Sequence, residues 1–374
     1  MNIKYDITHK ILNLNNNNNN NNNNKKNLNL NERLDIIKKI MKIALVGAHP
    51  QNILLESKIK KILDNSFIQT IIMTENNFNL ANQVDLVFII GGDRAILDYF
   101  HKVVDESAPV IGIYESESTG FLAQIDVRDL ETIIPRLKKN DYRIDEVVRL
   151  GVNVDGKEME PVLNDVAVFP SKSATLMEHI LSIDKNNVWH DNSDGVIVST
   201  PTGSTAYSMS AGGPMILQNS KVFVAVSVNS VDNTRRPLIF SDSCILEISD
   251  ILSRYHCEVV LDGGRRLGIK KILRCSKHQY PAKLVRLIGD SSVTSLIAKK
   301  VKIAEELLNM PPSAKLILKI LEYEGSMSQK DLATKTLLPE RTIRLSLGHL
   351  VNRGYVKKKT SLRDARHRTY ELKI

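Results

Sequence analysis

The sequence predicts an α/β protein in three parts: a Rossmann-like parallel-sheet domain at 41–141, a β-rich second domain at 142–288 and a winged helix-turn-helix at 312–374. Three observations carry this. Up to about residue 141, apolar runs of strand length alternate with helix-period stretches, the pattern of a parallel sheet with helices on its faces. From Tyr142 the texture changes to short β-like runs separated by turns. From Pro312 it changes again, to three short helical stretches followed by two strand-like runs around a basic tip.

Residues 1–40 carry an unbroken Asn run over 15–24 and too little apolar content to build a core, so they read as a disordered tail. Lys42-Ile43-Ala44-Leu45-Val46-Gly47 has the form of a buried strand leading into a Gly turn. A helix over 53–63, strands near 68–73 and 84–90, a helix near 95–104, a strand at 110–113 and a helix near 130–137 follow. Ligands of open parallel sheets bind beyond the carboxyl ends of the strands, which puts Gly91-Gly92-Asp93 where chemistry is expected. The second part shows strand-like runs at 163–169, 195–199, 222–228, 245–248 and 259–261. A helix over 295–308 should pack back on the first domain, so that about 289–310 completes it, before Pro311-Pro312 breaks the chain.

Composition narrows the function. No window holds the roughly 18 consecutive apolar residues that a membrane-spanning helix requires, and the N-terminus lacks a compact signal-peptide core, so a cytoplasmic protein is expected. Cys244, Cys257 and Cys275 stand far apart with no C-x-x-C pair, which suits neither a disulfide framework nor a structural metal. The formal net charge is +9, but residues 312–374 hold 14 Lys/Arg against 6 Asp/Glu, or +8 of it. Such a local excess is an electrostatic footprint for nucleic acid.

Two words carry chemistry. In Gly91-Gly92-Asp93 the glycines let backbone N–H groups approach phosphate oxygens, and the acid can accept a hydroxyl proton. The plain alternative is a Gly turn with a solvated acid. The second word runs Asp194-Gly195-Val196-Ile197-Val198-Ser199-Thr200-Pro201-Thr202-Gly203-Ser204-Thr205-Ala206-Tyr207-Ser208-Met209-Ser210-Ala211-Gly212-Gly213-Pro214. A strand ending in this density of hydroxyls is suited to a polyhydroxylated ligand, with Tyr207 packing on a flat base, although a solvated Ser/Thr loop would look similar in composition.

These residues resemble the signature of NAD kinases, D-G-x-I-x-S-T-P-T-G-S-T-A-Y followed by S-A-G-G-P. The further family words G-G-D-G-T, G-F-L, N-E or N-D, R-P-x and D-G-Q have counterparts in the same order. They are Gly91-Gly92-Asp93, Gly120-Phe121-Leu122, Asn164-Asp165, Arg236-Pro237-Leu238 and Asp262-Gly263-Gly264. The resemblance covers about 41–308 and implies an α/β domain plus a β-rich domain of NAD kinase type. It implies ATP as phosphate donor, Mg²⁺ with it, and NAD as the substrate phosphorylated on its 2′-hydroxyl. Carried over residue by residue, the catalytic base falls on Asp93; nucleotide contacts fall on Gly91, Gly92, Asn164, Asp165, Asp194, Thr205, Ala206, Tyr207, Ser208 and Ser210, with no protein metal site assigned.

The sequence departs from that pattern at three places. Arg94-Ala95 replaces Gly-Thr after the acid, where the long cation could clamp a phosphate or fill the nucleotide's space. Glu115 and Glu117 enter the loop before Gly120, and Gly264 stands where the family has Gln. Trp189-His190-Asp191 is expected in a loop capping the β-rich domain, and His49-Pro50 in a turn. Asp93→Asn should keep the shape of the site while losing turnover.

The C-terminal segment, with helices over 313–323, 328–333 and 339–351 and strands at 354–359 and 368–372, resembles the winged helices of prokaryotic transcription regulators. Arg341 and Arg344 would lie early on the recognition helix, and Lys357, Lys358 and Lys359 in the wing. The plain alternative is a docking module with a solvated basic face. Partners expected are therefore NAD, ATP, double-stranded DNA and further copies of the chain, with no membrane. An NAD(P)-sensing DNA-binding regulator with a degenerate kinase site is the rival reading; a lipid kinase sharing the Gly-Gly-Asp turn is disfavoured by the 194–214 word.

Overall fold

In β1 (Lys42–Gly47), Ile43 and Leu45 pack on one face of a sheet while Ala44 and Val46 pack on the other, so the strand is buried on both sides. A computed structural model describes residues 41–47, 53–114, 121–172, 175–287, 309–360 and 368–372. The Asn-rich tail, His49-Pro50, Glu115 to Gly120 and the expected 295–308 helix lie outside these described residues.

The first part continues with α1 (Ile53–Asn65), β2 (Gln69–Met73), β3 (Leu86–Ile90), α2 (Asp93–Lys102), β4 (Val110–Tyr114), β5 (Ile125–Asp126), α3 (Leu130–Lys138) and β6 (Tyr142–Val147). The β-rich part is made of β7 (Leu150–Val154), β8 (Lys157–Glu158), β9 (Asp165–Pro170), β10 (Met177–Ile183), β11 (Asn186–Ser193), β12 (Gly195–Ser199), the short α4 (Tyr207–Ser210), β13 (Val222–Val228) and β14 (Leu238–Ser241). It ends with β15 (Leu246–Ser253), β16 (Cys257–Leu261), β17 (Arg265–Ile269) and β18 (Ile272–Lys277), after which β19 (Ala282–Leu287) returns to the first sheet.

That first sheet has seven strands in the order β2-β1-β3-β4-β19-β6, with β5 beside β4; β1 to β4 are parallel, registering Ile43 with Leu86 and Val87 with Val110. One face packs on α2 through Ile96, Tyr99 and Phe100, the other on α1 and α3 through Ile59, Leu63, Ile133 and Leu137. The β-rich part is a pair of antiparallel six-stranded sheets, β11-β10-β15-β18-β7-β8 and β14-β13-β12-β9-β16-β17, sharing a core of alternating inward residues such as Val166, Val168, Val196, Val198, Leu246 and Ile248.

β6 and β19, at the two edges of 142–288, pair with each other in the first sheet. One expectation is corrected. Trp189, His190 and Asp191 lie in strand β11, paired with Leu181, Ile180 and His179 of β10, rather than in a loop. The run Asn186 to Ser193 is too polar to read as a strand, because β11 is the edge of its sheet.

The C-terminal module consists of α5 (Pro312–Glu324), β20 (Met327–Ser328), α6 (Gln329–Thr336), α7 (Glu340–Asn352), β21 (Val356–Thr360) and β22 (Arg368–Leu372), with strand order β20-β22-β21. Ser328 caps α6 by accepting from the Asp331 N–H, while Asp331 accepts in return from Ser328. Ala314, Ile317, Leu332, Ile343, Leu347 and Val356 close its own core.

One buried cation ties the two larger parts together. Arg149, 1% exposed, donates through Nη1 to the Phe100 and Val103 carbonyls at 3.1 and 2.8 Å, through Nη2 to Val104 and through Nε to the Tyr280 carbonyl at 2.9 Å. The first three of these carbonyl groups lie around the C-terminal end of α2, where they have no partner within the helix. Burial pushes the Arg149 guanidinium down to about 10, still charged near neutrality. Arg149→Met should keep the stem's packing but strand several carbonyls, lowering unfolding free energy by about 3 kcal/mol. Denaturant titration checks this, and a loss below about 1 kcal/mol would show that the cap contributes little.

Candidate functional site

The site is built where β3 ends and α2 begins. Gly91 donates its N–H to the Ile113 carbonyl at 2.8 Å, Gly92 is the N-cap of α2, and Asp93 is the helix's first residue. The Asp93 carboxylate is already engaged: Oδ2 accepts from Phe121 N–H at 2.8 Å, and Oδ1 from Leu122 and Ala123 N–H at 2.8 and 2.9 Å. It therefore organises the Phe121-Leu122-Ala123 segment while keeping lone-pair capacity for one more donor. Behind it, Arg286 is 2% exposed, donates to the Leu122 carbonyl at 3.2 Å, and has its guanidinium pKa lowered by burial, with the Asp145 and Asp93 charges opposing that shift.

The facing wall is organised by Asp262, whose side chain is fully buried. Its Oδ1 accepts from Asn164 and Asp165 N–H at 2.7 and 3.0 Å, and its Oδ2 accepts from Leu163 N–H at 3.0 Å with His101 Nε2 2.7 Å away. Arg94 Nη1 donates to the Asp262 carbonyl at 3.0 Å. Helix α2 thus presents Asp93 toward the 121–123 segment and Arg94 and His101 toward the turn that positions Asn164 and Asp165.

The 194–214 word folds into a turn packed on that pair. Thr200 Oγ1 donates to the Leu163 carbonyl at 2.6 Å and accepts from Gly203 N–H at 3.1 Å, and Thr200 N–H donates to the Asn164 carbonyl at 2.9 Å. A Cβ on Gly203 would overlap the Asn164 backbone, so the approach requires glycine. Ser199, Ser204 and Thr205 spend their hydroxyl protons on nearby carbonyls. The hydroxyl density read as ligand-binding is thus largely the turn's own framework. Among the word's described residues, Thr202 Oγ1 and Ser208 Oγ are the two buried hydroxyl oxygens without a hydrogen-bond partner.

Beyond the turn, Tyr207 stacks on Phe169, centroids 5.6 Å apart and planes 27° apart. Asp194 stands at the opposite end of β12 from Ser199, about 16 Å away at strand spacing, and accepts from Asn229 Nδ2 at 2.8 Å. The sequence-derived residues therefore fall into two clusters: Asp93, Arg94, Asn164 and Asp165 at one end, Asp194 at the other. Ala206 caps the short α4, which carries Tyr207, Ser208 and the exposed Ser210 across the sheet face between them. His101, Arg286 and Phe169 were not legible in the sequence, and Asp262, though singled out with Gly263 and Gly264, gave no sign there that it gathers the 163–165 amides.

The Lys319 ammonium of α5, in the C-terminal module, lies 3.1 Å from the Tyr207 ring centroid. In that module Arg341 and Arg344 are exposed on α7, and Lys357 and Lys359 both pair with Glu371, at 3.3 and 2.7 Å.

Comparison with known proteins matches residues 20–142 to the ATP-NAD kinase N-terminal domain, 163–287 to the ATP-NAD kinase C-terminal domain and 311–357 to a winged helix-turn-helix DNA-binding domain. The NAD kinase of Methanopyrus kandleri is 30% identical over 208 residues, covering 56% of this chain and 75% of that one. The NAD kinase of Heliobacterium modesticaldum is 30% identical over 226 residues, covering 59% and 79%. In fold, the chain resembles an Archaeoglobus fulgidus NAD kinase solved with ATP, at TM-score 0.59 and 22% identity over 70% of this chain and 99% of that one. It also resembles a yeast NADH kinase solved with NADH, at TM-score 0.61 and 18% identity over 73% and 88%.

Asn tolerates the φ of +45° seen at Asp262, so Asp262→Asn tests the side chain alone. The amide keeps one acceptor oxygen and turns N–H groups toward donors. Thermal and denaturant unfolding should register a loss of about 2–3 kcal/mol, and near wild-type stability would mean that Asp262 does not organise this wall.

Proposed function

Because this chain belongs to the NAD kinase family, we propose that it transfers the γ-phosphate of ATP to the 2′-hydroxyl of NAD, yielding NADP and ADP. The observation that carries the reading is the placement of Asp93 at the head of α2, on a helix that also reaches, through Asp262, the Asn164-Asp165 wall. Phosphoryl transfer depends mainly on positioning and charge neutralisation rather than on elaborate covalent chemistry. The ribose 2′-oxygen attacks the γ-phosphorus, the bond to the ADP oxygen breaks, and the hydroxyl proton passes to Asp93. Asn164 and Asp165 would hold the acceptor near the base, and the strip of Tyr207, Ser208 and Ser210 leading to Asp194 would receive the rest of an extended dinucleotide. Gly91, Gly92, Thr205 and Ala206 shape the backbone of the same walls.

Among the described residues no group of three or more His, Cys, Asp or Glu could hold a metal ion. Mg²⁺ accordingly enters this proposal as part of the donor, held by phosphate oxygens and water, the usual state of magnesium at triphosphates. No helix of the described residues is long and apolar enough to cross a membrane. Matches to kinase domains on both larger parts support the enzyme over a regulator with a degenerate site.

Asp93→Asn should lower kcat for NADP formation by about 100-fold or more. The structure revises the expectation that this variant is neutral in shape. An amide cannot accept all three N–H bonds from 121–123, so that segment should also exchange amide hydrogen faster. Unchanged kcat would remove Asp93 from the role of base.

The winged helix supports a second activity, binding of double-stranded DNA, with Arg341 and Arg344 on the recognition helix and Lys357, Lys358 and Lys359 on the wing. Since Glu371 pairs with two of the three lysines, replacing all three by Ala should flatten the salt dependence of binding by about two units rather than three. Arg341→Ala or Arg344→Ala should cost about 1–3 kcal/mol on a cognate duplex. Absence of DNA binding by the full chain at low salt would leave the module a docking unit. The contact of Lys319 with Tyr207 further predicts that NAD shifts DNA affinity and that DNA shifts NAD affinity by the same factor.

A further inference from the structure

Helix α2 grips the Asp262 turn twice, at its carboxylate through His101 and at its carbonyl through Arg94. The second grip has an unusual socket. A Cβ placed on Gly264 would overlap Nη1, Nη2 and Cζ of Arg94. The guanidinium therefore fills the volume that a side chain at 264 would occupy. Backbone shape does not explain the glycine: residue 263 has φ +66°, but residue 264 does not take a positive φ, so an L side chain is allowed there. The guanidinium is what excludes one.

The Arg94 side chain is half exposed, and its head is held at two points. Its Nε lies 3.0 Å from Asp98 Oδ1, one helical turn along α2, and its Nη1 donates to the Asp262 carbonyl at 3.0 Å. Moving the head into solvent gives up both contacts. The two departures from the family pattern, Arg for Gly at 94 and Gly for Gln at 264, thus occupy a single site in space. The side chain missing from the turn leaves the volume that the side chain added to the helix fills.

We propose that Arg94 and Gly264 form one interlocked unit in which Arg94 is a positioning residue. It holds the Asp262 turn against α2 and thereby sets how the Asn164-Asp165 wall receives the dinucleotide. The proposal rests on the NAD kinase reading for its ligand, and it changes what the cation after Asp93 is for. Arg94 is a strut between the helix carrying the base and the wall carrying the acceptor contacts, so its loss acts on the acceptor before the donor.

The test is a double-mutant cycle on the full chain with Arg94→Ala, Gly264→Ala and the double variant. It is read by calorimetric NAD affinity, by KM for NAD and for ATP, and by Tm. Gly264→Ala should weaken NAD binding on the order of tenfold by expelling the guanidinium, and Arg94→Ala by a similar factor. The double variant should be no weaker than Arg94→Ala alone, because a methyl group at 264 has nothing left to displace. KM for ATP should stay near wild type. Additive losses, an indifferent Gly264→Ala, or an effect confined to KM for ATP would overturn the interlock; the last would make Arg94 a donor contact. Should Gly264→Ala fail to fold, the double variant still decides: the interlock requires it to fold and bind as Arg94→Ala does. A wild-type chain that binds no NAD would defeat the functional reading, while non-additive Tm values would still support the interlock and additive ones overturn it.

Discussion

The architecture turns on one buried carboxylate. Asp262 lies just past the end of β16, fully removed from water, and gathers three consecutive backbone N–H groups and a histidine nitrogen onto two oxygens. A buried charge is tolerated only when its lone pairs are met by donors. The partners here come from both larger parts of the molecule. Residues 163–165 lead into β9 of the β-rich part, and His101 sits near the end of α2 in the parallel-sheet part. Satisfying Asp262 therefore requires the two parts to meet in one orientation, so the same interaction that stabilises the interface also fixes the distance between the proposed base and the proposed acceptor wall.

Helix α2 is consequently the most constrained element of the first sheet. Its head is fixed by Asp93 to the 121–123 amides, its flank by Arg94 and His101 to the Asp262 turn, and its tail by Arg149, just before β7, which also holds the Tyr280 carbonyl. These contacts are polar, directional and mostly withdrawn from solvent, the condition under which hydrogen bonds position groups rather than merely adding stability. The 194–214 word follows the same logic. Ser199, Thr200 and Ser204 are each fully buried, with hydroxyls bonded to main chain. The signature is thus first a specification for a rigid turn pressed on Asn164, and only through that turn a specification for a ligand surface.

Legibility divided along physical lines. The parallel sheet was visible because β1, β3 and β4 are buried on both faces and appear as uninterrupted apolar runs. The strands of the second part were visible as buried apolar runs, as along β13, or as an alternation where one face is less buried, as at the start of β15, but not in β11, whose polar edge residues hide the alternation. Strands β6 and β19 pair across about 140 residues of intervening chain, a relation that no local pattern encodes. Asp93 was singled out less by the Gly-Gly-acid turn, which an ordinary turn fits equally well, than by the longer words that accompany it. The surrounding contacts were not legible, since His101, Arg286 and Asp262 are brought together only when segments far apart in sequence meet. Arg94 and Gly264 each read as an isolated oddity, and only their superposition in space gives them a common reason.

The C-terminal module shows why formal charge overstates an electrostatic partner surface. Its excess of +8 would suggest a strong, undirected attraction to phosphate. Two wing lysines share Glu371, and Lys319 lies over Tyr207, so part of that charge is spent inside the molecule. What remains outward is more selective: Arg341 and Arg344 are exposed near the start of α7, and Leu345 beside them is 67% exposed. An apolar side chain next to two guanidinium groups suits a groove, where it can meet a methyl group or sugar, better than it suits bulk phosphate. Lys319 is also the cation that lies over Tyr207 in the proposed dinucleotide strip. On that proposal a base stacked over the ring and the Lys319 ammonium would compete for the same space. The charge distribution and the proposed pocket are therefore linked through one aromatic side chain rather than through the length of the fold.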